Sequence, residues 1–356
     1  MEPSPGEPRL YVVSDARFAQ HVPRGYHPER PERLDAAQEG LTIALARDGR
    51  PGIATTLAAA RASDGVLERV HAPAHLRALS ARLAAGPGQI DADTYVSAAS
   101  GEAAWLAAGG AASLAGTLLE GRGGRGFALV RPPGHHATPV RSMGFCLLNN
   151  VAIGATEALS RGARRVAVID WDVHHGNGTQ QAFEADPRVL FVSLHQDGLF
   201  PAASGRPAEV GVGAGAGFTA NVPLPPGSGP ETYGEAFRRV VLPLLERFDA
   251  DLTLVSAGYD AHARDPLGGM ALDAETFGAM ASALVTQAER AGHGRVGFVL
   301  EGGYDLVALE ASVAATVSAA LGHSVSLPEG RVPDAARDAI DATRDALRPF
   351  WPSAFT

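Results

Sequence analysis

The sequence predicts an open, doubly wound α/β sheet in one domain, and three observations lead there. Short apolar runs recur along the whole 356-residue chain, and most are continuous rather than alternating, as in parallel strands covered on both faces. Stretches with helical spacing lie between several of them, an alternation that builds a parallel sheet under helices. Residues able to do chemistry then cluster just past the apolar runs, at the strand ends where open α/β sheets bind ligands.

Eight strands are expected: Leu10–Val13, Ile53–Leu57, Phe127–Val130, Val166–Ile169, Leu190–Leu194, Phe218–Val222, Leu252–Val255 and Val296–Leu300. Helices are expected over Arg30–Ala46, Pro73–Ala85, Gly101–Glu120, Asn149–Ser160, Glu231–Phe248, Asp273–Ala291 and Asp305–Leu321. Gly and Pro concentrate at Gly205–Gly217 and Pro223–Pro230, which read as ordered surface loops within the domain. The chain from about Leu327 reads as a peripheral helical tail, and no internal repeat is present.

Composition excludes several classes. With 46% hydrophobic residues the chain can bury a large core. Acidic residues outnumber basic ones 39 to 30, so no phosphate-seeking surface is advertised and nucleic acid is not an expected partner. Every basic side chain is Arg, which together with abundant Ala, Gly and Pro reflects GC-rich coding, as in a bacterium. A single cysteine, Cys146, excludes an internal disulfide and a Cys-rich zinc module. Met1–Glu7 lacks a secretory pattern. Ala103–Leu119 is uncharged but rich in Ala and Gly, which suits a buried helix better than a membrane span. The expectation is a soluble protein of the reducing cytoplasm.

The chain is organised around Arg165-Val-Ala-Val-Ile-Asp-Trp-Asp-Val-His-His-Gly-Asn177. If the backbone stays extended, Asp170, Asp172 and His174 point to one side at i, i+2 and i+4, half of a metal site. Four other strands lead into reactive segments: Arg131-Pro-Pro-Gly-His-His136, His195, Gly258-Tyr-Asp260 and Glu301-Gly-Gly-Tyr304. Asp172, His174 and Asp260 make a nitrogen and oxygen set with positions left open, a catalytic arrangement suited to zinc or ferrous iron. His135 and His136 could supply a base and an acid near neutral pH. Asp170 and Asn177 are available to orient them, and a carboxylate on one imidazole with an amide on the other would separate their basicities. The Tyr304 phenol could serve as an oxyanion donor. Phe145 and Phe200, each beside Gly or Pro, could wall a narrow apolar channel.

These segments together resemble the zinc-dependent histone deacetylase and acetylpolyamine amidohydrolase family. The resemblance runs from His27-Pro-Glu-Arg-Pro-Glu-Arg-Leu34 to Gly302-Gly-Tyr304 and into the helix that follows. It implies the arginase/deacetylase fold: a single three-layer α/β domain with an eight-stranded, mainly parallel sheet covered by helices, in agreement with the eight apolar runs. Residues 1–326 would form the catalytic domain and residues 327–356 a C-terminal helical extension packed on it. The resemblance implies one catalytic Zn²⁺ held by Asp172, His174 and Asp260. It makes His136, partnered by Asn177, the general base and then acid; His135, paired with Asp170, acts electrostatically and Tyr304 polarises the scissile carbonyl. Gly144, Phe145, Phe200, Leu267 and Gly303 would line the substrate channel, and Arg33 would lie beneath it. One or two structural K⁺ ions are also implied, the first at Asp170, Asp172, His174, Ser193 and Leu194. The second would lie near Phe183, Asp186, Val189 and Phe218.

Within the family, Asn177 and Leu267 match the class II-like pattern of bacterial homologues. Polyamine-selective relatives carry an acidic gatekeeper where Leu267 stands, and a Pro-Glu-Cys-Glu insert that this chain lacks. The activity implied is hydrolysis of N-acetyl-lysine amides in proteins or peptides; the alternative is an acetylpolyamine or another small amide. The resemblance is compatible with a homo-oligomer. Leu199, before Phe200, departs from the Phe-Phe of many relatives at the outer wall of the channel. A manganese ureohydrolase of the same fold is disfavoured, because its ligands run Asp-x-His-x-Asp and these run Asp-x-Asp-x-His. A non-catalytic acyl-peptide binder is disfavoured because Tyr304 and all three ligands are present.

Overall fold

A computed structural model describes residues 10–121 and 124–355; the Met1–Glu7 segment lies outside the described residues. Among the described residues ten strands form: β1 Leu10–Val13, β2 Ala54–Leu57, β3 Gly88–Gln89, β4 Tyr95–Val96, β5 Gly124–Ala128, β6 Val166–Asp170, β7 Val189–Gln196, β8 Thr219–Leu224, β9 Leu252–Ala257 and β10 Arg295–Leu300. β3 and β4 pair as a small antiparallel ribbon. The other eight make one parallel sheet in the order β2-β1-β5-β10-β9-β6-β7-β8.

All eight expected strands are in that sheet, Leu10–Val13 with the expected bounds and the others with shifted ends. β5 begins three residues before the expected Phe127, because its first residues include Gly124 and Gly126 and carry no apolar signal. The small residue has a packing reason: a Cβ on Gly126 would come within 2.3 Å of Leu114 Cδ1 on the helix above. The ladder still reaches Leu129, whose amide donates to Val13 O at 3.0 Å or less (2.9 Å). The expected loop at Pro223 starts inside β8, an edge strand, where a residue without N–H is tolerated.

Long helices cover both faces: Glu32–Asp48, Pro73–Ala84, Ser100–Glu120, Asn150–Ser160, Ala274–Arg290 and Leu306–Ala320. The Ser100–Glu120 helix, uncharged over Ala103–Leu119, is a buried packing element, and Gly109 lets it approach so closely that a Cβ there would lie 1.9 Å from Ala60 O. Among the described residues no helix is long and apolar enough to cross a membrane. The expected Glu231–Phe248 helix is interrupted: Pro230–Ala236 and Leu242–Phe248 are α-helical, with a π-type turn at Phe237–Val241 between them. Pro243 has no N–H for the carbonyl four residues back, which is a recognised cause of such interruptions. Two short helices, Asp64–Leu67 and Asn177–Phe183, give too few turns for a periodic signal. In the tail, Asp334–Leu347 is a helix that buries Ala336, Ile340, Thr343 and Leu347, and Thr343 Oγ1 donates to Asn221 O on β8 at 2.6 Å.

The topology places the chemistry. The reactive residues of the five segments lie at or just past the carboxyl ends of β5, β10, β9, β6 and β7, five strands that are contiguous in the sheet. Parallel pairing puts all five carboxyl ends on one rim.

Candidate metal centre

Asp172 and His174 follow β6, and Asp260 follows β9, its immediate neighbour. Their ligand-type atoms all lie within 4.8 Å of one another. His174 Nδ1 is 3.0 Å from Asp172 Oδ1 and 3.2 Å from Asp260 Oδ2. The outer carboxylate oxygens are held by backbone: Gly302 N donates to Asp172 Oδ2 at 2.8 Å, and Val173 N donates to Asp260 Oδ1 at 2.8 Å. Asp260 Oδ2 is buried without a hydrogen bond. Burial, and then Asp172, push the Asp260 carboxyl upward in pKa. Two buried carboxylates turned toward one another with a spare lone pair are the donor set that a dication satisfies. Zn²⁺ therefore fits here. Glycine lets the chain close around the cluster: a Cβ on Gly258 would lie 2.0 Å from Asp172 Oδ2, and one on Gly302 2.1 Å from Asp260 Oδ2.

The expected one-sided row of Asp170, Asp172 and His174 does not form. β6 ends at Asp170, and the backbone then turns, with Asp172 N donating to Asp170 Oδ1 at 3.1 Å. Asp170 thereby leaves the metal cluster and faces His135 instead, Oδ2 to Nδ1 at 3.0 Å.

His135 and His136 follow β5 through a cis Arg131–Pro132 bond. Their ring centroids are 4.0 Å apart, yet their surroundings differ. The Asp170 carboxylate can only accept, so His135 Nδ1 carries the proton in that bond. Burial works against the charged His135 ring, but Asp172 and Asp170 outweigh it and hold its pKa well above the ordinary value. His136 Nδ1 meets Asn177 Oδ1 at 2.8 Å. Burial, then the neighbouring His135 and His174 rings, hold its pKa well below the ordinary value. With Asn177 Oδ1 accepting, Nε2 of His136 is the free, basic nitrogen.

Tyr304 follows β10. Asp265 Oδ2 accepts from Tyr304 N at 2.6 Å and from Asp305 N at 3.3 Å. Arg33 donates to Gly303 O at 2.6 Å and to Glu301 O at 2.5 Å, and its guanidinium sits 4.9 Å from the Tyr304 ring centroid. Phe200 meets His136 edge-on at 5.0 Å, and Phe145 meets Tyr304 edge-on at 5.8 Å. Gly144 lies between them at φ +57°, where a Cβ would come 2.5 Å from His136 Cδ2 and 2.8 Å from Phe200 Cε1.

The sequence model of the Histone deacetylase domain matches residues 27–320. The chain belongs to the histone deacetylase family. It is 42% identical over 280 residues to a histone deacetylase-like amidohydrolase of Pseudomonas aeruginosa, covering 78% of this chain and 71% of that one. A probable deacetylase of Archaeoglobus fulgidus is 38% identical over 327 residues, covering 91% of this chain and 90% of the other. Histone deacetylase 15 of Arabidopsis thaliana is 39% identical over 336 residues; the match covers 92% of this chain and spans 59% of that protein's length. The crystal structure of the HDA15 HD domain superposes with a TM-score of 0.87 at 37% identity, covering 98% of this chain and 97% of that one. The fold is thus the arginase/deacetylase fold, and the protein is an amide hydrolase of the deacetylase type, in a family that is typically zinc-dependent.

Of the remaining expected residues of this histone deacetylase family member, Leu267, Ser193 and Leu194 lie toward the same rim, whereas Phe183, Asp186, Val189 and Phe218 lie toward the opposite, amino ends of β7 and β8. Leu267 is half-buried on the loop of Asp265, its amide donating to Asp265 Oδ1 at 2.9 Å. Ser193 and Leu194 are buried on β7, Ser193 in register with Asp170. Of the outlying set, Phe183 and Val189 are buried, Asp186 pairs with Arg188 at 2.6 Å, and Phe218 O accepts from Phe191 N. Sequence reasoning gave no role to Asp265, to Gly258 or to the network of Glu29, Arg131, His21 and Tyr95. Glu29 stands inside the motif that pointed to Arg33, but its role depends on contacts with segments about a hundred positions away, such as Arg131.

Proposed function

We propose that the chain is a zinc-dependent deacylase that hydrolyses N-acetyl-lysine amides in proteins or peptides. The observation that carries this reading is the three-ligand cluster, with the Asn177-held His136 beside it and Tyr304 on the neighbouring strand end. Held by Asp172, His174 and Asp260, Zn²⁺ would supply Lewis acidity, bringing a water toward a pKa of about 7 and polarising the amide carbonyl.

The protein's own residues do the rest. Nε2 of His136 takes a proton from the attacking water and returns it to the amine nitrogen as the C–N bond breaks, giving acetate and a free amine. His135 stabilises negative charge and is kept in place by Asp170. The Tyr304 hydroxyl donates to the carbonyl oxygen as charge builds there. Burial first of all holds the phenol's pKa well above its ordinary value, so it stays protonated and able to donate. Gly144, Phe145, Phe200, Leu267 and Gly303 guide the aliphatic part of the acyl-lysine, and the two edge-on rings at His136 and Tyr304 support that role. Asp170, Asp172, His174, Ser193 and Leu194 would hold a structural K⁺, a reading supported by the β6–β7 register, which sets Ser193 beside Asp170. Residues 327–356 act as an extension of the catalytic domain.

Neutral Leu267 favours a peptide over a polyamine, because a distant ammonium finds no carboxylate there. The test is kcat/KM of the zinc-loaded enzyme on an acetyl-lysine peptide beside N-acetylputrescine and N8-acetylspermidine. The expected result is a strong preference for the peptide. A preference for either polyamine would overturn the substrate assignment while leaving the chemistry intact.

A further inference from the structure

Glu29 stands outside the metal cluster, buried between two buried arginines, Arg131 and Arg33. Its Oε1 accepts from Arg131 Nε at 2.5 Å and from Arg33 Nη1 at 3.3 Å. Oε2 accepts from Arg131 Nη2 and from the Tyr95 hydroxyl, both at 2.9 Å. The two guanidiniums then reach different parts of the catalytic rim. Arg131 donates to Phe18 O and His21 O at 3.0 Å each and opens the Pro132-Pro133-Gly134 turn that presents His135 and His136. Arg33 donates to Glu301 O and Gly303 O on the segment that ends in Tyr304.

A buried carboxylate among two guanidiniums is kept only where its hydrogen bonds are complete, and removing one member leaves an uncompensated charge. Here the completeness has a geometric consequence. β5 and β10 are adjacent strands, but the loops that leave them are free to splay unless something joins them beyond the ladder. One tie is Glu301 Oε2, which accepts from Gly134 N at 2.6 Å and His135 N at 3.1 Å. The other is Glu29, which spans the same two loops through side chains and also anchors both to the 18–33 segment.

The network has a second superficial reading. Ser100 Oγ lies 2.6 Å from His21 Nδ1, and His21 Nε2 lies 3.5 Å from Glu29 Oε2, the order of a nucleophilic triad. All three are buried, and Ser100 Oγ already accepts from Ser97 N at 2.6 Å. His21 also stacks on Tyr95 at 4.2 Å. This chain of contacts is a brace, not a second active site.

We propose that Glu29 is a positioning residue that sets the spacing between His136 and Tyr304 by holding Arg131 and Arg33 on a single carboxylate. This rests on the deacylase reading given above.

The experiment compares zinc-loaded full-length wild type, Glu29→Gln, Tyr304→Phe and the double variant on whichever acyl amide the wild type turns over best. Glu29→Gln is expected to keep its zinc stoichiometry and its KM while lowering kcat about tenfold to a hundredfold, the scale of an ångström-level misplacement. In the Tyr304→Phe background the same substitution should cost little, because the alignment it protects is already useless. Equal proportional losses in the two backgrounds, or an unchanged kcat, would overturn the proposal. Absence of wild-type turnover on every acyl amide would overturn the deacylase reading and this role with it, whereas turnover with an unaffected Glu29→Gln removes only the role. If Glu29→Gln does not fold, Tyr95→Phe deletes one hydrogen bond to the same carboxylate. It should show a smaller kcat loss with the same dependence on Tyr304, and a kcat equal to wild type would count against Glu29.

Discussion

Two side chains differ from their closest substitutes by a single heavy atom in a place where that atom decides the outcome. Tyr304→Phe removes only the hydroxyl, and the ring's contacts with Phe145 and Arg33 remain. The expected result is full zinc occupancy with turnover down by about a hundredfold to a thousandfold, the scale of losing one oxyanion donor; near-wild-type turnover would overturn the assigned role. Gly144→Ala adds one carbon at φ +57°, into space held by His136 and Phe200. It should lower kcat strongly while zinc stays bound, because the three ligands follow β6 and β9 rather than this loop; metal analysis beside steady-state kinetics checks it. Residue identities at this scale were largely legible: Asp172, His174, Asp260, His135, His136 and Tyr304 all stand in short motifs. The turn after β6, which takes Asp170 out of line with Asp172 and His174, was not, because it depends on a local hydrogen bond to Asp172 N.

At the scale of elements, long helices could be read from periodicity and caps. Asp273 begins the Ala274–Arg290 helix, its Oδ1 accepting from Thr276 N at 2.8 Å and Thr276 Oγ1 at 2.7 Å. Asp273→Ala should therefore cost about 1 kcal/mol of stability, seen as a lower denaturant midpoint, with kcat and KM unchanged. A change in turnover would mean that the helix communicates with the site. The elements that escaped sequence reading are those whose cause is short or negative. Asn177–Phe183 is too brief to show a period, yet its first residue holds His136. The break at Phe237–Val241 comes from an N–H that Pro243 lacks.

For the molecule as a whole, buried neutral histidines set the acid limit. His71 and His21 are both buried, and burial first of all lowers the pKa of each from 6.5 to about 4. His71 Nδ1 meets Thr138 O at 3.0 Å while Nε2 accepts from Asn149 N at 2.9 Å, so protonating Nε2 breaks the second bond. The unfolded chain takes up these protons near pH 6.5 and the folded chain only near pH 4. The unfolded state binds more protons in between, so the stabilisation is full above about pH 6.5 and drains away as pH falls toward 4. Urea melts at pH 7.5 and 5.0 should show the loss, and His71→Gln should flatten the difference; a wild type equally stable at both would refute it. Metal removal acts in the same direction. Chelation leaves Asp172 and Asp260 facing each other in a buried site, so the chelated enzyme should melt at lower temperature and recover on adding Zn²⁺.

The sequence by itself determined the eight strands of the main sheet, though not the small β3–β4 ribbon, together with the order of reactive segments and the chemical types in them, because continuous apolar runs and short polar motifs are local signals. Which runs become neighbours is not local. The insertion of β9 and β10 between β5 and β6 brings Asp260 to Asp172 and Tyr304 to the histidine pair, and it arises from packing helices over both faces of one sheet. The same holds for Glu29, whose partners Arg131 and Tyr95 are distant in sequence and meet it only in the folded core, where burial gives each hydrogen bond its weight.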